Sequence, residues 1–159
     1  MDILQPKYTK EVIKGRQTAK NIALQIQRAI KESKASANHI SGKFRGRTAF
    51  LTCFNVYNYC RKNLTYKKEG ENLQTARTLN RILADGNGDC KHYTTLCCSV
   101  LNSLGIKTKM RLISQNFYNP EPTHIYCVAY INNEEVIVDP CMKNFNSEAQ
   151  YKYKYNLSI

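Results

Sequence analysis

Asn132-Asn133 separates two runs of strand-forming residues, and no other dipeptide in the chain constrains the fold as strongly. Residues 123–131 and 134–139 are rich in β-branched and aromatic types. A two-residue loop of asparagines suits the tight turn that joins hairpin strands, because asparagine tolerates positive φ. If Ile131 faces Glu134, then Tyr126 faces Asp139 and His124 faces Cys141. Side chains alternate along a strand, so His124 and Asp139 become diagonal neighbours on one face, about 7–8 Å apart. A carboxylate reaches an imidazole nitrogen over that distance. A three-residue loop would move one of the pair to the other face. Pro140 ends the second strand directly after the acid.

Upstream, Tyr93, Leu96, Cys97, Val100, Leu101 and Leu104 recur at helical spacing and predict one buried stripe of an α-helix. Gly86-Asn87-Gly88 breaks the chain before it, Asp89 suits the N-cap, and Gly105 suits the C-cap. Cys90 then occupies the first turn, at the positive end of the helix dipole. A thiol attacks a carbonyl only as thiolate. The dipole is worth about 0.3–1 kcal/mol, and one pKa unit is about 1.36 kcal/mol. The helix end alone therefore cannot hold a full thiolate at neutral pH. A cationic partner is needed, and His124 is the candidate.

Each residue also has an ordinary reading. Cysteine is usually core filler, which suits Cys53, Cys60, Cys97, Cys98 and Cys127 on apolar faces or in strands. It suits Cys90 poorly, since Gly, Asn and Asp precede it. A strand histidine is commonly structural, and an aspartate before proline commonly ends a strand. Together the three residues point to a nucleophile (Cys90), its base (His124) and the carboxylate that orients the base (Asp139). Seven cysteines without a C-x-x-C pair favour neither a complete disulfide framework nor a zinc site. The expectation is free thiols in a reducing cytosol, with no metal and no cofactor. Nor is there an aspartate-rich calcium loop.

Gly88-Asp89-Cys90-Lys91, leading to Leu101-Asn102-Ser103-Leu104-Gly105-Ile106, resembles the thiol helix of transglutaminase-like proteins within the papain-like cysteine enzyme superfamily. Thr123-His124-Ile125-Tyr126 and Val136-Ile137-Val138-Asp139-Pro140 resemble that family's His and Asp strands. Leu64-Thr65-Tyr66 and Thr75-Ala76-Arg77-Thr78-Leu79 add to the likeness, which runs from about residue 47 to 146. The resemblance implies Cys90 as nucleophile, His124 as general base and acid, and Asp139 as the acid that orients the histidine. It implies a cysteine acyltransferase, or an amide or peptide hydrolase, acting through a thioester on a protein or peptide. The family also has catalytically dead structural members, so a non-catalytic interaction protein is the alternative. Compact forms from Bacteroidetes-type bacteria and their phages look most similar, which makes a phage virion component and phage structural partners expectations too. Animal relatives carry a tryptophan near the active site, and this chain has none. The side-chain oxyanion donor is therefore unassigned, and the Cys90 N–H is the backbone candidate.

The expected fold is α+β: N-terminal helices, a central thiol-bearing helix, and an antiparallel sheet starting near residues 108–114. A single domain is expected, with residues 1–46 a basic helix and connection and residues 47–159 the core. Residues 1–6 do not read as a secretory signal, and no apolar run is long enough to span a membrane. The expected location is the cytoplasm of a bacterium or phage-infected cell, or a virion. The formal net charge is +12. Residues 1–68 hold 15 Lys and Arg against 3 Asp and Glu, whereas residues 69–159 hold 9 of each. Residues 9–33 read as a basic helix with Ala19, Ile22, Ala23, Ile26, Ala29 and Ile30 on its apolar face. A second helix follows with Phe50, Cys53, Phe54, Tyr57 and Cys60 inward. Lys10, Lys14, Lys20, Lys31 and Lys34 are either the solvated face of packed helices or a docking surface for an acidic partner. Nucleic acid ranks below protein as that partner. Residues 151–155 alternate aromatic and lysine like a strand.

Overall fold

The computed structural model describes residues 9–15 and 17–159; residues 1–6 and the Lys14 side chain lie outside the described set. Chain order is β1 (Lys10–Lys14), α1 (Ala19–Glu32), α2 (Lys34–Ile40), a 3₁₀ turn (Ser41–Phe44), α3 (Ala49–Asn63), β2 (Thr65–Tyr66), β3 (Leu73–Arg77) and α4 (Leu79–Asp85). Then come β4 (Asn87–Gly88), α5 (Cys90–Ser103), β5 (Lys107–Ser114), β6 (His124–Ile131), β7 (Glu134–Val138) and β8 (Tyr153–Ser158). The fold is α+β. Its main sheet is antiparallel in the order β7-β6-β5-β8, with two small pairs, β1-β3 and β2-β4, beside it.

Helix α5 is the spine. The sequence predicts one buried stripe, but every residue from Lys91 to Leu101 is buried. Helices α1, α2, α3 and α4 pack on it from several sides, and β5 and β6 from another. Two of its buried threonines bond back to the helix itself: Thr94 Oγ1 donates to the Cys90 carbonyl at 2.8 Å, and Thr95 Oγ1 to the Lys91 carbonyl at 3.1 Å. The helix ends where Gly105 takes φ +80°, with Ile106 N–H bonded to Leu101 O and Gly105 N–H to Asn102 O, both at 3.0 Å. That is the paired C-terminal closure glycine permits.

The β6–β7 hairpin has the expected register. Ile131 pairs with Glu134 and Cys127 with Val138, and Asn132 and Asn133 adopt φ 51° and 66°. The N-terminal segment differs from expectation. Residues 9–33 are not one helix: β1 pairs with β3, Val12 opposite Thr75, before Gly15 turns the chain at φ +77°. Thr18 then caps α1, its hydroxyl accepting from Asn21 N–H at 3.2 Å. Ile13, Ala23, Ile26, Ile30, Ala37 and Phe44 all enter the same core as Leu96 and Leu101.

Helix α3 also departs from the reading in detail. Cys53, Tyr57 and Cys60 are buried, but Phe50 and Phe54 stand 44% and 39% exposed. Their partner is remote in sequence: the Phe145 ring sits 5.2 Å from Phe50 and 5.4 Å from Phe54, edge-on to both. Strand β8 begins at Tyr153 rather than Tyr151 and forms an outer edge against β5. The Tyr153 and Tyr155 hydroxyls donate to the carbonyls of Phe117 and Pro120 at 3.2 and 3.4 Å, so this edge is tied to the 115–122 loop. On the sheet face away from α5, Ile113, Tyr126, Val128 and Ile137 form a second small core. Beside it, fully buried Arg111 donates to Glu135 at 2.6 and 3.0 Å, to Glu148 at 2.7 Å and to Asn156 at 2.8 Å. Among the described residues no helix is long and apolar enough to cross a membrane.

Candidate active site

The three residues singled out from the sequence meet where α5 begins and the β6–β7 hairpin opens. His124 Nε2 lies 2.6 Å from Asp139 Oδ2. Cys90, half-buried at the first position of α5, is close enough to act electrostatically on the same imidazole, whose Nε2 is taken by Asp139. The imidazole lies over Tyr126, ring centroids 5.4 Å apart, and the Tyr126 hydroxyl donates to Glu148 Oε1 at 2.6 Å. Burial disfavours the charged imidazole. Hydrogen bonds and charges from Asp139 and Cys90 outweigh burial and raise the His124 pKa to about 10.

Asp139 is held by its own turn and by α3. Its Oδ1 accepts the Cys141 N–H at 3.0 Å, and its carbonyl accepts the Met142 N–H at 3.0 Å. From α3, Arg61 Nη1 donates to Pro140 O at 3.1 Å and the Tyr57 hydroxyl to Met142 O at 2.7 Å. Cys141 shares the site, yet burial and the adjacent Asp139 carboxylate push its thiol far above the ordinary range. Burial drives Cys53 up to about 12 and raises Cys97 and Cys127 as well.

The start of α5 is fixed by a buried polar cluster. Asp89 accepts the Lys91 N–H at 3.2 Å, while His92 Nδ1 accepts the Asp89 N–H at 3.0 Å, closing a capping box. Gly88 is required here, because a Cβ at that position would lie 2.6 Å from His92 Cβ. The Lys91 ammonium, 4% exposed, bonds to Asp89 and sits 2.9 Å from Glu69 Oε2. Glu69 also accepts from Arg77 Nη2 at 2.9 Å, from the Thr75 N–H at 2.6 Å and from the Thr75 hydroxyl. Arg77 continues to Asp85 at 3.1 Å and to the Asn87 carbonyl at 3.0 Å. Burial would raise both carboxyls, but their hydrogen bonds and cations win: Glu69 falls to about 2 and Asp89 lies well below the usual carboxylate range. Glu69, Asp89 and His92 have metal-ligand types in reach of one another, but the Lys91 ammonium already supplies their positive charge.

The sequence reading found Asp89 as a cap and missed the rest of this cluster. Lys91, Glu69 and Arg77 look like ordinary surface charges, and their burial rests on partners up to 22 residues apart. It gave Arg61 no role, read Tyr93 as part of the buried helix stripe, and used Tyr66 only in the resemblance. With Leu64, Pro140 and Cys141 these line a cavity of about 410 Å³. Tyr66 packs edge-on against Tyr93 at 6.0 Å, and the charges of Cys90 and Cys141 add to burial in raising the Tyr66 phenol. Tyr93 lies one turn along α5 from Cys90, and Pro140 and Cys141 directly follow Asp139, so the cavity adjoins the candidate site. Lys10 on β1, Lys20 and Lys31 on α1 and Lys34 on α2 are all exposed.

A His124 held at about 10 has a definite consequence for stability. A folded-state pKa above the unfolded value, ordinarily about 6.5, stabilises the protein fully below that value. The contribution fades as pH rises through the folded pKa. The ring resonances of His124 should titrate near pH 10 by NMR, and urea stability should decline between about pH 6.5 and 10. A His124 midpoint near 6.5 would show that Asp139 does not hold the imidazolium.

None of the curated protein sequences matches the chain. Among solved structures it is similar to a candidate protease from Parabacteroides distasonis, with TM-score 0.63 and 12% identity over 77% of this chain and 26% of that one. It is also similar to a candidate cysteine protease from Cytophaga hutchinsonii, with TM-score 0.50 and 16% identity over 82% of this chain and 48% of that one. LapG of Legionella pneumophila gives TM-score 0.53 and 12% identity over 82% of this chain and 77% of that one. The chain thus spans about a quarter and about half the length of the first two, and at these identities the likeness is one of fold. The family model described as the transglutaminase-like superfamily matches residues 45–140, well over half the chain, and the chain belongs to that superfamily.

Proposed function

We propose that the protein is a thiol enzyme, a cysteine acyltransferase or an amide or peptide hydrolase, with Cys90 as nucleophile. The observation that supports this most directly is the His124 ring set between Cys90 and Asp139, the latter at 2.6 Å. In this reading the His124 imidazolium, having already taken the Cys90 proton, holds the sulfur as thiolate while it attacks a carboxamide or peptide carbonyl. The developing oxyanion meets the Cys90 N–H, a first-turn donor that helix geometry leaves without an intrahelical acceptor. The imidazolium then protonates the departing amine, leaving a thioester on Cys90. Water or a second amine resolves it, with His124 again as base. Asp139 fixes the tautomer and stabilises the imidazolium, and Tyr126 supports the ring from behind. The protease descriptions of the structural relatives favour a protein or peptide substrate.

Mass-spectrometric mapping after brief iodoacetamide treatment at pH 6 tests the reading. Cys90 should be alkylated at least about tenfold faster than any other cysteine. Five of the others are buried, and Cys141 faces the Asp139 carboxylate. Equal labelling of Cys90 and Cys141 would instead favour a non-catalytic member of the fold, such as a virion component.

A further inference from the structure

The cavity beside Cys90 has a distinctive charge. Its lining is apolar or aromatic except for Arg61, the one formally charged side chain in its wall. Arg61 itself is exposed, whereas the buried charges of this protein are matched. Arg77 meets Glu69 and Asp85, Arg111 meets Glu135 and Glu148, and Lys91 meets Asp89 and Glu69. The acids closest to the cavity are therefore committed, Asp139 to His124 and both Glu69 and Asp89 to Lys91. Among the described residues no carboxylate lies within ion-pair distance of Arg61. Its Nη1 is anchored on Pro140 O at 3.1 Å, which aims the guanidinium without neutralising it. A guanidinium has five N–H donors in a rigid fork, so most remain for another acceptor. Near Arg61, Leu64, Tyr66 and Cys141 in the chain, Lys62, Lys67, Lys68 and Lys143 are all exposed, and none has an ion-pair partner among the described residues.

Resting on the thiol-enzyme reading above, we propose that Arg61 anchors a carboxylate of the substrate, so that the enzyme acts on carbonyl groups lying close to an acidic side chain of a protein or peptide. The cavity of about 410 Å³ is large enough for a side chain and too small for a folded surface, so the recognised unit is a single extended residue near the reacting bond. Apolar walls from Leu64, Tyr66 and Tyr93 would pack on its methylenes while Arg61 takes the carboxylate in a charge-assisted pair.

Two alkylating agents of nearly equal size test this without a known substrate. Iodoacetate is an anion and iodoacetamide is neutral, so the ratio of their rates at Cys90 reports the local field. The ratio also cancels changes in the reactivity of the thiol itself. Arg61→Gln should lower the ratio by roughly fivefold, the order expected for one cation several ångströms away in a partly screened site. Arg61→Lys should keep most of it. A ratio unchanged in Arg61→Gln, or lowered equally in Arg61→Lys, overturns the proposal. The latter would show that the bond to Pro140 O matters rather than the charge. Slow alkylation of Cys90 by both agents in the unsubstituted chain removes the thiol-enzyme reading itself, and the anchor with it.

Protection of Cys90 from iodoacetamide identifies the source of the carboxylate. A capped peptide with one internal glutamate should protect at millimolar concentration, and Arg61→Gln should abolish that protection. Protection only by a peptide with a free C-terminus would keep Arg61 as a carboxylate anchor and assign it to chain ends. Protection by neither would overturn the proposal.

Discussion

Asp139→Asn should leave a folded protein whose hydrolysis of an activated ester is slower by about 10⁴, the loss measured for the equivalent change in a serine triad. The substitution is nearly isosteric at a position 2% exposed, and the asparagine oxygen can still accept the Cys141 N–H that Asp139 Oδ1 accepts now. Its amide nitrogen would then face His124 Nε2, where a carboxylate oxygen lies at 2.6 Å. Two donors cannot share that contact. The imidazole would respond by carrying its proton on Nδ1, toward Cys90, and could no longer take the thiol proton. The protein should melt within a few degrees of the unsubstituted chain, while the alkaline midpoint of His124 should fall toward the ordinary histidine value. Wild-type turnover with a folded Asp139→Asn chain would remove Asp139 from the mechanism.

The largest effect on stability is expected from Glu69→Ala. Glu69 is exposed only at its edge and accepts from Lys91, Arg77 and both the amide and hydroxyl of Thr75. Truncation leaves two buried cations sharing Asp89 and Asp85, and breaking buried pairs in this way costs about 3–5 kcal/mol. Equilibrium urea unfolding would measure it, and a loss under about 1 kcal/mol would mean that water replaces the carboxylate freely. The pH dependence follows from the same contacts. A carboxyl whose folded pKa lies below its unfolded value stabilises fully above the unfolded value and loses that contribution as pH falls through the folded one. For Glu69 the loss runs from about 4.5 down to about 2, so this corner of the fold should resist mild acid.

The parts of the site that the sequence discloses are those set by local rules. Asn132-Asn133 allows one tight turn, that turn fixes the register, and the register puts His124 and Asp139 on one face. Gly88-Asp89 before an apolar stripe similarly places Cys90 at a helix start. The parts it hides depend on distant partners. Val12 and Ile13 read as helix because their pairing with Thr75 and Gln74 leaves no mark on local periodicity. Phe50 and Phe54 read as core because Phe145, which they touch, is about 90 residues away in the chain. Lys91 and Arg77 look like surface charges for the same reason. A buried charge is recognisable only with its counter-charges, and those lie on other elements.

Because α5 is packed against on several sides, the Cys90 thiol belongs to the last structure to open. Its amides should exchange with solvent only when the whole molecule unfolds, so heat or denaturant should remove reactivity and structure in one step. The same packing leaves the thiol helix no freedom to diversify. Any descendant that acquires a new substrate must do so through the loops that frame it, at residues 67–72, 115–122 and 140–152, while the spine stays as it is.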